Sequence, residues 1–246
     1  MATFTTSISG FPVYDKTRIP DPGTDYTTGA VFLIDKPSGW SSFDVVKFLR
    51  ARIKMRKTGH AGTLDPLATG LLIICAGKAT KSISVIQDCP KRYLAEVRLG
   101  SSTPSQDVAT KPDAHAPAGH IKKEDVEAIL DERFTGKIKQ VPPMYSALWK
   151  DGKRLYTYAR KGKVVQRESR EIEVFENRLV SFSSQLLELD ILCSKGTYVR
   201  TLAHDLGLAL GTLAHLSALR RTAIGPYKAE QALNIEQIRN YFDQKA

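Results

Sequence analysis

The chain has 246 residues, 42% hydrophobic and 25% charged, enough apolar material for one large domain or two small ones and too polar for a membrane-embedded protein. Lys and Arg exceed Asp and Glu by 10, an excess that suits a polyanion and leaves open both a nucleic-acid partner and a merely basic enzyme. Cys75, Cys89 and Cys193 form no CxxC or Cys/His spacing and the five histidines add no ligand set, which argues against structural zinc and a disulfide framework.

In chain order, residues 1–28 are rich in Thr, Ser, Pro, Asp and Gly without periodicity and read as a flexible arm. Their start lacks a basic segment followed by an apolar run, and no later stretch reaches the length of a membrane span, so the expected location is the cytoplasm. Val31–Ile34 reads as a strand and Lys36-Pro37-Ser38-Gly39 as a turn. Ser41 with Asp44 makes a capping box, opening a helix expected to carry Phe43, Val46, Leu49 and Ile53 inward.

The loop His60-Ala61-Gly62-Thr63-Leu64-Asp65-Pro66 sets one carboxylate on a constrained backbone. Pro66 biases Asp65 toward extended geometry, and Gly59, Gly62 and Gly70 supply the freedom of a tight loop. The apolar run Leu71–Ala76 reads as a buried strand or a helix start, so the loop leaves a rigid core element. Asp65 is then either catalytic or the head of an Asx-turn bonding its own backbone. Gly77-Lys78-Ala79-Thr80 is not a P-loop, because Leu72 stands where a glycine is needed and Ala79 where a hydroxyl is needed.

From Arg92 to Leu99 apolar residues alternate with mostly polar ones, a half-buried strand with Tyr93 on its core or cleft face. Residues 101–119 lack a core pattern and read as a long surface connection, followed from Lys122 by a helix with Val126, Ile129, Leu130 and Phe134 as its apolar stripe. Val141–Ala147, with two prolines, is neither regular helix nor central strand. Between Trp149 and Arg170, lysines and arginines interleave with Trp149, Tyr156 and Tyr158. That composition fits an RNA-gripping flap, or a solvated basic helix with its aromatics in the core. Leu187–Cys193 is another strand, with Tyr198 and Arg200 at its exit where a helical region begins. His204 and His215 fall in that region as packed or surface residues, and Gly207 and Gly211 interrupt or end it. There is no internal repeat, no GxGxxG fingerprint and no evident Ser or Cys nucleophile with its base. Strands and helices without regular βαβ alternation indicate an α+β fold on a mixed, mainly antiparallel sheet flanked by helices and loops.

Six segments resemble, in order, the motifs of the TruB-type tRNA pseudouridine synthases: Leu33–Ser42, Gly59–Gly70, Lys91-Arg92-Tyr93, Pro143–Ala147, Ser194–Arg200 and Leu219–Thr222. They span about 190 residues. The resemblance implies a pseudouridine-synthase-like fold and isomerisation of uridine in the tRNA T-arm, at the position usually numbered 55, by base flipping and without metal or cofactor. Asp65 would be the catalytic carboxylate, attacking the sugar, attacking the base or abstracting a ribose proton, and Arg200 would hold it ionised and oriented. Tyr93 would stack on the flipped uracil, Tyr198 and Leu219 would line its pocket, and His60 would fill the space it vacates. Asp107 and Lys36 would support this set; the Thr103–Asp107 segment departs from the family pattern, which weakens the link for Asp107.

The resemblance also implies a catalytic domain over 29–246 with a basic thumb-like insertion near 136–170. Only 25 residues follow Arg221, so no C-terminal PUA domain is expected. The expected partner is tRNA, bound by a monomer that needs no protein partner and no membrane. Three rivals remain. An RNA-binding protein without catalysis gives no reason for Asp65 and Arg200, a glycoside-cleaving enzyme needs a second carboxylate, and a guide-directed dyskerin-like enzyme is expected to carry a PUA segment.

Overall fold

A computed structural model describes residues 10–21 and 23–243. The chain divides into two compact units, 1–93 with 219–246, and 94–218. The first opens with β1 (Val13–Tyr14), β2 (Ala30–Lys36), α1 (Ser42–Ile53), β3 (Thr58–His60), β4 (Thr69–Ala76) and α2 (Ile83–Asp88). Strand β5 (Lys91–Leu99) carries the chain into the second unit, which holds β6 (Ser101–Ser102), β7 (Ala114–His115), α3 (Lys123–Arg133), β8 (Gly136–Gln140), β9 (Trp149–Lys150) and β10 (Lys153–Arg154). It continues through α4 (Leu155–Ala159), β11 (Arg170–Ser183), β12 (Leu186–Cys193) and α5 (Val199–Ala209). Strand β13 (Ala214–Ile224) returns the chain to the first unit, which ends with β14 (Tyr227–Lys228) and α6 (Ile235–Asp243).

In the first unit β4 is the central strand. It pairs antiparallel with β2 from Ala30↔Ala76 to Lys36↔Gly70 and parallel with β13 at Arg220↔Thr69 and Arg221↔Gly70. Both faces of β4 are covered, which is why its sequence is an unbroken apolar run rather than an alternation. Leu72 and Ile74 pack with Phe32, Val45, Val46 and Leu49, and Leu71, Ile73 and Cys75 pack with Val31, Leu33, Ile86 and Ile224.

The capping box on α1 is formed by Ser41 and Asp44. Its inward stripe is Ser42, Val45, Val46, Leu49 and Ile53, whereas Phe43, expected inside, is 59% exposed. Ser42 takes the inward place in the first turn because its hydroxyl is needed below, and Phe43 is turned about 100° away from it. The expected arm also needs correction. Residues 1–9 and 22 lie outside the described residues. Within 10–28, however, Val13 and Tyr14 pair with Val31 and Phe32, and Tyr14 and Tyr26 are buried with ring centroids 5.2 and 5.9 Å from that of Phe32. Two tyrosines in a polar stretch give enough apolar area to fix it without any periodic pattern.

The second unit is built on antiparallel pairing of β11 with β12 and with β8, covered by Val126, Leu130 and Phe134 from α3 and its end. Gly136–Gln140 pairs with Arg170–Val174, so the basic stretch expected near 136–170 opens and closes on paired strands. Within it Trp149 is 62% exposed with the Arg154 guanidinium 4.3 Å over its ring, and Arg160 lies 5.3 Å over exposed Tyr156, so these aromatics are outside the core.

His215 lies on β13 and not in the helical region where it was expected. The chain turns at Gly211, with φ +72°, and returns across Gly207, where a Cβ would stand 2.4 Å from Ala214 N. The expected surface connection at 101–119 is likewise partly interior: Ser101, Ser102, Thr103, Ser105 and Asp107 are buried. Thr103 and Ser105 hydroxyls donate to the Asp107 carbonyl, and a hydrogen-bonded polar turn of this kind leaves no hydrophobic signature.

Gly70 stands where β4 meets β13, just after the Asp65 loop. Its φ is +99°, and a Cβ would fall 2.3 Å from Arg221 O. Gly70→Ala is expected to lower stability by at least about 2 kcal/mol, through backbone strain and forced separation of β4 from β13. Denaturant unfolding measures this, and an unchanged midpoint would contradict the tight β4–β13 approach.

Candidate active site

The Asp65 loop is fixed on both sides of the carboxylate-bearing residue. Before it, Leu64 N–H donates to Ser42 Oγ at 2.8 Å, and the same hydroxyl donates to Leu64 O at 3.0 Å. After it, Pro66 O accepts from Gly39 N–H at 2.9 Å and from Lys36 Nζ at 3.0 Å. Lys36 also donates to Pro37 O and Trp40 O, so one ammonium ties the turn after β2 to the loop. The turn itself closes through Ala68 N–H to Asp65 O, and Ala61 N–H donates to Ile73 O.

A second buried cation holds the start of the loop. Arg221 is 1% exposed, and its Nε donates to Leu71 O at 2.8 Å, Nη1 to Thr63 O at 3.3 Å and Nη2 to Gly62 O at 3.2 Å. Burying a guanidinium is costly unless its donors are used, and here they are used on the backbone of the loop and of β4. Next to it on β13, Arg220 makes a two-pronged pair with Asp35 at 3.0 and 2.7 Å.

These cations set the local electrostatics. Burial pushes the Lys36 ammonium down to about 8; the negative charge of Asp65 pulls it back up and Arg221 pushes it further down. Burial, followed by the Arg221 charge, holds His60 below the ordinary imidazole range, so it is uncharged at neutral pH. Leu219 is half-buried, and its carbonyl lies 3.4 Å from Thr69 Oγ1. Tyr93 is buried on β5.

The second unit carries the remaining candidates. Arg200, in the first turn of α5, is 5% exposed. Its Nη2 donates to Tyr145 O at 2.7 Å and its Nη1 lies 3.5 Å from Asp107 Oδ2. The other Asp107 oxygen accepts from Ala109 N–H at 2.9 Å, which orients the carboxylate. Tyr198 precedes α5 and lies beneath two guanidiniums, Arg170 at 4.8 Å and Arg200 at 5.7 Å from its ring centre.

Thus Lys36, His60, Asp65, Tyr93 and Leu219 belong to the first unit, and Asp107, Tyr198 and Arg200 to the second. Among the described residues no group of three or more His, Cys, Asp and Glu is placed to hold a metal ion, and no helix is long and apolar enough to cross a membrane. Sequence reasoning missed the loop-holding roles of Ser42 and Arg221. Both lie in motifs already singled out, but the Arg220-Arg221 doublet does not reveal which arginine faces inward.

A loop whose backbone is held by two buried cations, together with a basic stretch in the second unit, suits an enzyme that acts on RNA, and comparison with known proteins gives the class. Residues 50–199 match the family model described as TruB family pseudouridylate synthase (N terminal domain). Residues 200–246 match that of the tRNA pseudouridylate synthase B C-terminal domain, a stretch read from sequence as part of the catalytic domain. A tRNA pseudouridine synthase B of Chlorobium luteolum is 46% identical over 86% of this chain and 74% of its own length. One from Phocaeicola vulgatus is 44% identical over 90% of this chain and 96% of its own. Among solved structures, a chain of a Cbf5-Nop10-Gar1 complex superposes with a TM-score of 0.68 at 28% identity, covering 87% of this chain; the chain spans 55% of that protein's length. The chain belongs to the TruB family of tRNA pseudouridine synthases, isomerases that convert uridine to pseudouridine in tRNA.

The depressed Lys36 pKa gives a stability signature. Between about pH 8 and the ordinary value of 10.5, the unfolded chain holds a proton on Lys36 that the folded chain has lost, so this residue's contribution to stability rises with pH across that window. Lys36→Met is expected to destabilise by about 2 kcal/mol at pH 7, because carbonyls of Pro37, Trp40 and Pro66 lose their donor. The gap to the native chain should widen from pH 8 to 10.5. Denaturant titrations across that range check it, and a gap that narrows would contradict the stated burial of the ammonium.

Proposed function

We propose that the uridine isomerised lies in the T-arm of tRNA, at the position usually numbered 55, and that Asp65 is the essential carboxylate, with Arg200 as the cation that serves it. The observation that carries this reading is the bracing of Asp65: Leu64 and Pro66, its two neighbours, are each bonded twice. A residue held on both sides by other elements of its unit is pre-organised, which is what a reacting group requires.

In the reaction the C1′–N1 bond breaks, the uracil turns and a C1′–C5 bond forms. The proton leaving C5 is balanced by one gained at N1, so nothing external is consumed. Attack on the sugar, attack on the base and abstraction of a ribose proton each require Asp65 unprotonated and fixed. Tyr93 stacks on the extruded uracil with its hydroxyl assisting proton removal from C5, Tyr198 and Leu219 line the pocket, and neutral His60 fills the place of the extruded base. Asp107 orients Arg200. The flap between Gln140 and Arg170 grips phosphates with its lysines and arginines and offers Trp149 and Tyr156 at the surface. The chain acts in the cytoplasm as a monomer without a protein partner or cofactor.

Asp65→Asn is expected to lower the rate of pseudouridine formation in unmodified tRNA by at least about a thousandfold, with tRNA affinity changed by no more than a few fold. Near-normal turnover would make Asp65 structural. Charge reversal at Lys150, Lys153 and Lys161 is expected to weaken tRNA binding and to flatten its log–log dependence on salt by roughly 0.7–0.9 for each phosphate no longer neutralised. The modified position should stay the same, as determined by sequencing of the product. An unaltered salt slope would remove the flap from the RNA interface.

A further inference from the structure

Gln140 is the last residue of β8, and its side chain is 1% exposed. Its amide uses both functional ends on one residue. Nε2 donates to Tyr198 O at 3.0 Å, and Oε1 accepts from Tyr198 N–H at 2.8 Å. This is the two-bond pattern of an antiparallel strand pair, made by a side chain. Tyr198 needs such a partner because it stands outside regular structure, with φ −97° and ψ 103°, immediately before α5 and with no side-chain cap. Its carbonyl also receives Thr201 N–H and Leu202 N–H, both at 3.1 Å, so fixing Tyr198 fixes the first turn of the helix that carries Arg200.

The segment leaving Gln140 completes the arrangement. Five residues on, Tyr145 O accepts from Arg200 Nη2 at 2.7 Å. The end of β8 and the irregular stretch that follows it, 140–145, therefore set both the backbone of Tyr198 and the guanidinium of Arg200. A primary amide buried in a sheet is costly unless both ends are bonded, and here both ends are used on the backbone of one residue outside regular structure. Its use here is orientation.

We infer that Gln140 is a positioning residue for isomerisation, holding Tyr198 and, through the start of α5, Arg200 in their working geometry. This rests on the functional reading above, in which Tyr198 and Arg200 serve the site. Glutamate at this position keeps size but sets an oxygen against Tyr198 O, and methionine leaves both Tyr198 groups without this partner. The control is Ile172→Ala: Ile172 is buried on β11, opposite Ile138 of β8, and touches neither end of the amide clamp in its hydrogen bonding.

The test measures single-turnover pseudouridine formation, tRNA affinity and melting temperature for the native chain, Gln140→Glu, Gln140→Met and Ile172→Ala. The expected result is a rate lowered roughly tenfold to a hundredfold in both Gln140 variants, tRNA affinity within about twofold, and a native rate in Ile172→Ala despite a lower melting temperature. Where Gln140→Met does not fold, the isosteric Gln140→Glu gives the reading. Native rates in a folded Gln140 variant, or an equal loss of rate in Ile172→Ala, would overturn the inference. An inactive native chain would instead overturn the functional reading itself.

Discussion

The buried guanidinium of Arg221, bonded to Gly62 O, Thr63 O and Leu71 O, is the constraint on which the functional loop depends. Residues 61–68 are outside helix and strand, so their carbonyls have no partners from regular structure. A cation rooted in β13 supplies donors on one side, and Lys36, rooted in β2, supplies them on the other through Pro66 O. Both strands flank β4, whose two covered faces leave it no freedom to shift. A loop without regular structure thereby acquires the rigidity of the sheet beneath it.

The same device recurs in the second unit. The irregular stretch after β8 offers Tyr145 O to Arg200, and the buried polar turn at 103–107 offers the Asp107 carboxylate. In each unit a cation from a regular element meets oxygens from an irregular one. In the first unit the negative charge of Asp65 opposes the effect of burial on Lys36.

Much of this was legible in the sequence, and the reasons for the rest are physical. The capping box at Ser41 and Asp44, the alternation along β5 and β12, and the helix around Val126 and Leu130 each follow one periodicity and read correctly. β4 was ambiguous because burial on both faces erases alternation. Phe43 was misplaced because a 3.6-residue stripe can be rotated by one position, and the demand of Leu64 for the Ser42 hydroxyl decides which. The segment through Tyr14 and Tyr26 and the turn around Asp107 escaped notice because single aromatic anchors and satisfied polar clusters carry no period. The motifs single out Asp65, Arg200 and Tyr198 as candidates, but hydrogen bonds from Arg221 and Gln140 to distant backbone atoms have no local signature.

The central claim is that buried cations rooted in the strands, rather than the loop's own turns, hold the Asp65 segment rigid. Native-state amide hydrogen exchange on the native chain and on Arg221→Gln tests it most directly, read at Leu64 and Ala68 in the loop and at Ile73 and Ile74 in β4. The account predicts that protection at Leu64 and Ala68 falls by about tenfold or more in the variant while protection at Ile73 and Ile74 changes far less. Loop amides as protected in Arg221→Gln as in the native chain would contradict it.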